Sequence, residues 1–351
     1  MTRYYHHTHD HHEHSPHGAE EHTHSHHGHG HVQKAEHFEQ SALERLKELY
    51  PNPETLGRLR ELAAHLCAIE AVHYPKTRPC HLLLFAEEYE MAEADRRYPH
   101  AADGILHQRG IEHGEAPVCV LAKAQDVPIR LVSVGPVKAA EPSSAWFAPS
   151  LSIPQVASVM KTGSQAAADE LKAGAQVLIL GRVERRQTWS AYGLAAIFMQ
   201  QFGEHILEKQ PGMDETVYSQ LVERLREALA SQDKPGHTPV SLLAHLGTLP
   251  LAAMVGAMIQ AGSHNRVILL DSLASTVAGI LASRIDPTVR PALIAGSLEP
   301  GLAHPRLLHH MGMKPLLDMG IASEDGLGAL TALSLLDSAA ALFHEGKKHP
   351  S

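Results

Sequence analysis

Five short apolar runs, separated by stretches long enough for helices, restrict what this chain can fold into more than any other feature. They are His81-Leu82-Leu83-Leu84-Phe85-Ala86, Ile129-Arg130-Leu131-Val132-Ser133-Val134, Val177-Leu178-Ile179-Leu180-Gly181, Arg266-Val267-Ile268-Leu269-Leu270-Asp271 and Ala292-Leu293-Ile294-Ala295. Apolar residues at consecutive rather than alternate positions are what a parallel strand covered on both faces requires. Their alternation with helical segments reads as α/β: a doubly wound, mostly parallel sheet flanked by helices. The competing reading makes some of these runs buried helix segments. In such a sheet, ligands bind outside the carboxyl ends of the strands, which directs attention to Gly181, Asp271 and Gly296.

The intervening segments carry helical periods. Glu39 to Leu49 is stopped by Pro51 and Pro53, and Thr55 is placed to cap a helix with Leu56, Leu59, Leu62, Ala63 and Leu66 on one face. Met213 to Ala230 reads as amphipathic, Gln232 to Thr238 as a surface loop, and Gly326 to His344 as an apolar helix with a Gly-rich entrance. With aromatics at 5%, the core must be built from Leu, Ala, Val and Ile. A formal charge of -9 without a basic patch argues against nucleic acid as a partner. Cys67, Cys80 and Cys119 form no CxxC and read as reduced and mostly buried. No apolar run reaches the roughly eighteen residues of a membrane span. No signal peptide is visible either, so no membrane partner is expected and the cytoplasm is the expected compartment.

The N-terminus has a different character. Thirteen of the 29 histidines precede Val32, interleaved with Asp10, Glu13, Glu20 and Glu21. Imidazole is the commonest protein ligand for zinc, nickel and cobalt. The candidate ligands are His6, His7, His9, His11, His12, His14, His22, His24, His26, His27, His29 and His31. Having almost no aliphatic residues, the segment cannot bury enough surface to offset its ordering entropy. Residues 1–36 are therefore expected to be a disordered tail that binds divalent metal (Zn, Ni or Co), the alternative being an expression tag. Residues 37–348 would form the folded body.

No general-purpose catalytic motif is present: no GxGxxG after a strand, no Walker A loop, no GxSxG elbow and no HExxH. A colinear series of segments stands instead. Near the C-terminus are Glu299-Pro300-Gly301, then Met313-Lys314-Pro315-Leu316-Leu317-Asp318-Met319-Gly320, then Asp325-Gly326-Leu327-Gly328-Ala329-Leu330. Upstream are Pro53-Glu54-Thr55-Leu56-Gly57-Arg58-Leu59, Ala253-Met254-Val255-Gly256-Ala257-Met258 and Asp271-Ser272-Leu273-Ala274-Ser275-Thr276. In this order, over roughly Glu39 to Phe343, the chain resembles the nicotinate-nucleotide:dimethylbenzimidazole phosphoribosyltransferase family.

The resemblance implies a parallel-sheet domain and a small helical domain assembled from the two chain ends, about 37–75 plus the C-terminal helix. It also implies a homodimer. Nicotinate mononucleotide and dimethylbenzimidazole, or a related base, would be the substrates, and the chemistry would need no cofactor. A base nitrogen attacks the ribose C1, nicotinate leaves, and a carboxylate takes the proton of the other ring nitrogen.

Several positions depart from the family pattern. The family's general-base Glu, in G-E-G-S/T-G-A, falls on Asp325, with Glu324 before it. Asp is one methylene shorter, and misplacement of about an ångström can cost around 10²-fold. The alternative is that Glu324 and Asp325 form only an acidic helix start. The family's glycine-rich phosphate turn, G-E-M-G-I-G-N-T-T, becomes Gly181-Arg182-Val183-Glu184-Arg185-Arg186-Gln187-Thr188-Trp189. Arg182, Arg185 and Arg186 can hold a phosphate by bidentate hydrogen bonds, or be a solvated helix start. Gly181, Thr188, Asp271, Ser275, Gly296, Gly326 and Gly328 complete the expected nucleotide-binding set. Three functions are compatible with this pattern: a divergent transferase, a paralogue that lost the chemistry and binds ligand, and a metal store or chaperone.

Overall fold

All five apolar runs form strands, and all pair in parallel. The computed structural model describes residues 26–89, 101–137, 151–184, 189–201, 205–209, 214–230 and 238–345. The strands are β1 (Cys80–Tyr89), β2 (Ile129–Val137), β3 (Val177–Val183), β4 (Val267–Leu270) and β5 (Leu293–Ala295). The described helices are, in order, α1 (His26–Leu49), α2 (Arg58–Glu70), α3 (Ala101–Glu112), α4 (Pro117–Ala124), α5 (Ile153–Lys172), α6 (Ser190–Met199) and α7 (Glu215–Ala230). They continue with α8 (Pro239–Leu246), α9 (Leu249–Ser263), α10 (Leu273–Ile285), α11 (Val289–Ala292), α12 (Ala303–His310) and α13 (Leu327–Glu345).

The sheet order is β2-β1-β3-β4-β5. The chain winds from β1 to β2 and then returns to place β3 on the other side of β1. The winding therefore reverses between β1 and β3, the position at which doubly wound sheets bind ligands outside the carboxyl ends of their strands. Successive residues of β3 are all buried, and Leu82 to Ala86 of β1 likewise. Because neighbouring side chains point to opposite faces, helices cover both sides. β2 lies at the edge and differs: Val132 and Val134 are buried while Leu131 is 37% exposed. There the expectation of a fully buried strand gives way to alternation, because an edge strand meets solvent.

Three local expectations change. Thr55 does not cap α2. Its Oγ1 donates to the Asn52 carbonyl at 2.7 Å inside a 3-10 turn, and α2 begins after Gly57, whose φ of 52° suits glycine. Next, α1 starts at His26 rather than near Glu39, so the last part of the segment expected to be disordered is helical. Once its C-terminal half is fixed against α2, a helix extends without a new nucleation cost. Finally, α13 is, among the described residues, a helix long and apolar enough to cross a membrane, although no such run was expected. It packs on α2 and α4, with Leu330, Leu333, Leu336 and Phe343 fully buried. The segments on either side of α2 also bond to α13: Tyr50 Oη donates to the Leu342 carbonyl at 2.8 Å, and Thr77 Oγ1 to Asp337 Oδ1 at 2.6 Å.

The α5–α9 pair depends on two glycines at the crossing. A Cβ on Gly163 would lie 1.9 Å from the Ala253 carbonyl oxygen, and one on Gly256 1.9 Å from that of Met160. Backbone sits where a side chain would go, so the helices must separate if either glycine gains a methyl. Gly163→Ala is expected to cost roughly 1–3 kcal/mol or more, read by urea unfolding. A loss under about 0.5 kcal/mol would contradict this close crossing.

Candidate functional site

The carboxyl end of β3 is roofed by the segment that enters α13, which then runs inward over Ile179 of β3 and Leu82 of β1. A Cβ on Gly181 would stand 2.6 Å from the Asp325 carbonyl carbon, and the Arg182 N–H donates to the Glu324 carbonyl at 2.8 Å. Gly326 has φ +90°, and a Cβ there would meet Leu82 and Ile179 at 2.8 Å. A Cβ on Gly328 would stand 2.8–3.1 Å from the Ser297 side chain and the Cβ of Asp271. Gly181, Gly326 and Gly328 thus share one property: each lets the loop and the start of α13 approach the sheet closer than a Cβ would allow. Gly296 closes the neighbouring strand end, its N–H donating to the Leu270 carbonyl at 2.7 Å.

Charge organises what lies beneath this roof. The Arg182 guanidinium, 2% exposed, donates from Nε and Nη2 to both Glu324 oxygens at 3.0 and 2.7 Å, and from Nη1 to Glu184 at 2.7 Å. Thr248 Oγ1 adds a hydrogen bond to Glu184 at 2.7 Å. Burial works against the Arg182 charge, but the two carboxylates outweigh it and hold the group protonated. The guanidinium expected to bind phosphate is therefore turned onto carboxylates. Arg185, Arg186 and Thr188 lie outside the described residues, as do His6, His7, His9, His11, His12, His14, His22 and His24. His26, His27, His29 and His31 fall within α1.

Asp325 is 2% exposed. Its Oδ1 accepts from Ser323 Oγ at 2.5 Å and from the Leu327 N–H at 3.2 Å, which satisfies a free amide at the start of α13. Its Oδ2 lies 3.2 Å from Nε2 of His107 on α3. Burial alone would raise this carboxyl, but the hydrogen bonds from His107 and Ser323 hold it below its ordinary value. Asp271, at the end of β4, goes the other way. Burial, then the nearby Asp325 charge, pushes its carboxyl up to about 8. Its Oδ2 and the Ser297 Oγ find no hydrogen-bond partner among the described residues.

Ser275, expected to contact nucleotide, works inside the helix start instead. Its Oγ accepts from the N–H groups of Asp271 and Ser272 at 3.1 and 3.0 Å, while Ser272 caps α10. Glu299 Oε2 accepts from the Leu273 N–H at 2.6 Å, and burial, then Glu324, raises it to about 7. His304 Nδ1 accepts from the Glu299 N–H at 2.9 Å, so its proton sits on Nε2, 2.9 Å from Thr276 Oγ1. Burial lowers this imidazole to about 3, keeping it neutral. Among the described residues no group of three metal-ligating side chains occurs.

Sequence reading missed His107, Glu184, Ser323 and Ser297. Glu184 lies within the arginine-rich stretch, where the arginines alone read as candidates. His107 had no signal, since only folding brings α3 to the entrance of α13. The cluster does predict a pH signature. Between the ordinary value of 3.8 and about 8, folded Asp271 keeps a proton that the unfolded chain has lost. Stability therefore falls as pH rises across that window, by at most about 1.4 kcal/mol per unit, and levels off above it. Asp271→Asn should flatten this decline in melting temperature, and an unchanged slope would contradict a protonated Asp271.

Perturbed carboxylates at the carboxyl ends of a doubly wound sheet are the setting of a reactive site. A phosphoribosyltransferase family model matches residues 32–350. The nicotinate-nucleotide–dimethylbenzimidazole phosphoribosyltransferase of Azotobacter vinelandii is 29% identical over 321 residues, covering 87% of this chain and 90% of that protein. The enzyme of the same name from Xanthomonas oryzae is 28% identical over 320 residues, covering 87% and 91%. A crystal structure of the Thermus thermophilus enzyme of that name superposes with a TM-score of 0.75 at 23% identity, over 88% of this chain and 96% of that one. The sheet, the roofed strand ends and the span of that match lead to one conclusion: the chain belongs to this phosphoribosyltransferase family.

Proposed function

We propose that this protein transfers ribose phosphate from nicotinate mononucleotide to dimethylbenzimidazole or a related base, forming α-ribazole phosphate, in the cytoplasm and as a homodimer. The observation that carries the reading is Asp325, a carboxylate roofing the strand ends at the point where the winding reverses, where the family resemblance puts the general base. Nicotinate leaves with a ring nitrogen already positive, so its departure needs no acid. One proton must be removed, from the second nitrogen of the attacking base. Asp325 and its partners supply the acceptor, while Glu324 is engaged by Arg182. The protonated Asp271 and the Ser297 hydroxyl provide polar groups beneath the roof for the nucleotide, whereas Gly181, Gly296, Gly326 and Gly328, expected to contact it, pack against the protein's own atoms and act by shaping the site. Arg185, Arg186 and Thr188 are the remaining phosphate candidates.

The chain beginning at Lys34 should convert nicotinate mononucleotide and dimethylbenzimidazole without added metal, as followed by chromatography of the product. Asp325→Ala should reduce the rate by at least about 10²-fold. Full activity in that variant would remove Asp325 from the reaction.

A second reading is favoured by the commitment of Arg182 to Glu184 and Glu324, which takes one cation away from phosphate. In it, the chain has lost the transfer step and works in ligand binding, or in storage or delivery of Zn, Ni or Co through the His-rich segment. Either way the histidines are metal ligands by composition, and the Irving–Williams order places cobalt below nickel, so cobalt selectivity needs another source. Starting the chain at Lys34 should remove most divalent-ion binding in calorimetric titration. Retained binding would move the metal site into the folded body.

A further inference from the structure

The loop entering α13 does not hold its carboxylate alone. Asp325 Oδ1 is spent on Ser323 and on the first amide of α13, and Oδ2 faces the imidazole of His107 at 3.2 Å. The carboxylate side chain is 3% exposed, while that of His107 is 37% exposed. A carboxylate with both oxygens engaged, held below its ordinary pKa, is a weak terminal proton acceptor. The imidazole it holds is shifted upward, chiefly by the hydrogen bond to Asp325. The ring has a second nitrogen, Nδ1, and access to solvent.

We propose that His107, oriented by Asp325, is a catalytic residue of the transfer proposed above and takes the ring proton of the attacking base. The assignment rests on that reading of the reaction. As the base nitrogen forms its bond to the ribose C1, the C1–nicotinate bond breaks and its electron pair neutralises the pyridinium nitrogen. The proton on the second base nitrogen passes to Nδ1 of His107, whose Nε2–H remains donated to Asp325. The imidazolium, stabilised by the buried carboxylate, then returns its proton to water. This division of labour, with a buried acid holding the ring and the ring moving the proton, is how carboxylate–histidine pairs act elsewhere. It also restores reach, since an imidazole extends beyond the side chain of an aspartate. The titratable groups that sense the pair are Cys119 on α4, whose thiol is raised by burial and then by Asp325, and Asp271 at the end of β4.

The test uses the full chain with nicotinate mononucleotide and dimethylbenzimidazole. His107→Gln should lower kcat by about 10²–10⁴-fold. KM for the nucleotide should change by less than about threefold, since uniform binding is untouched. The acid limb of the kcat profile, present in the unaltered protein, should vanish in the variant, and added imidazole should partly restore His107→Ala. An active unaltered chain whose His107→Gln variant keeps both rate and acid limb would overturn the assignment. No product from the unaltered chain would overturn the reaction reading and the assignment with it, an outcome distinct from the first. Folding of the variants need not be assumed, because NMR titration of the unaltered chain reads the pair directly. A His107 ring titrating above its ordinary value, and falling in Asp325→Asn, supports the proposal, whereas an ordinary value overturns it.

Discussion

The arrangement depends on backbone lying against backbone where α13 begins. Gly181 accepts the peptide of Asp325 at a distance that excludes any Cβ, and Gly326 takes a left-handed turn against Leu82 and Ile179. That contact sets everything charged at the site. It places Glu324 on Arg182 and Asp325 in front of His107, and it brings Gly328 down on Ser297 and Asp271. The acidic start of α13 is thus both a helix terminus and a roof, and the two readings of Glu324 and Asp325 are not exclusive. Asp325 divides its oxygens between them.

Burying several carboxylates together is costly unless protons or cations offset the charge. Arg182 bridges Glu184 and Glu324 and offsets one of their two charges, His107 faces Asp325, and further negative charge is avoided by protons on Asp271 and, near neutrality, on Glu299. The result is a graded set of proton affinities within one cluster, as acid–base chemistry needs. It also explains why Arg182 is buried in a stretch that reads either as a phosphate site or as a solvated helix start: its partners come from just past β3 and from the α13 entrance.

The framework was largely legible in the residues. Consecutive apolar runs predicted five strands, and five parallel strands form. The colinear segments led to the family that the match over residues 32–350 shows. The departures were legible only as changes of type. The three arginines suggested an anion site, yet Arg182 turned to carboxylates, and Ser275 serves the start of α10. Helix ends also shifted, at Gly57 and at His26, because capping and extension respond to packing that a local pattern does not contain.

By itself the sequence determined the strand set, the layer architecture, the family and the concentration of histidines at one end. The strands, the layers and the histidine concentration follow from local hydrophobic period and composition, which act residue by residue, and the family from the colinear motifs. Only the tertiary structure decided which strands are neighbours, that β2 is an edge, which carboxylate keeps a proton and which imidazole Asp325 meets. Those properties belong to pairs of residues far apart in the chain, as His107 and Asp325 are. Distance, burial and charge between such residues exist only after the sheet has brought them together.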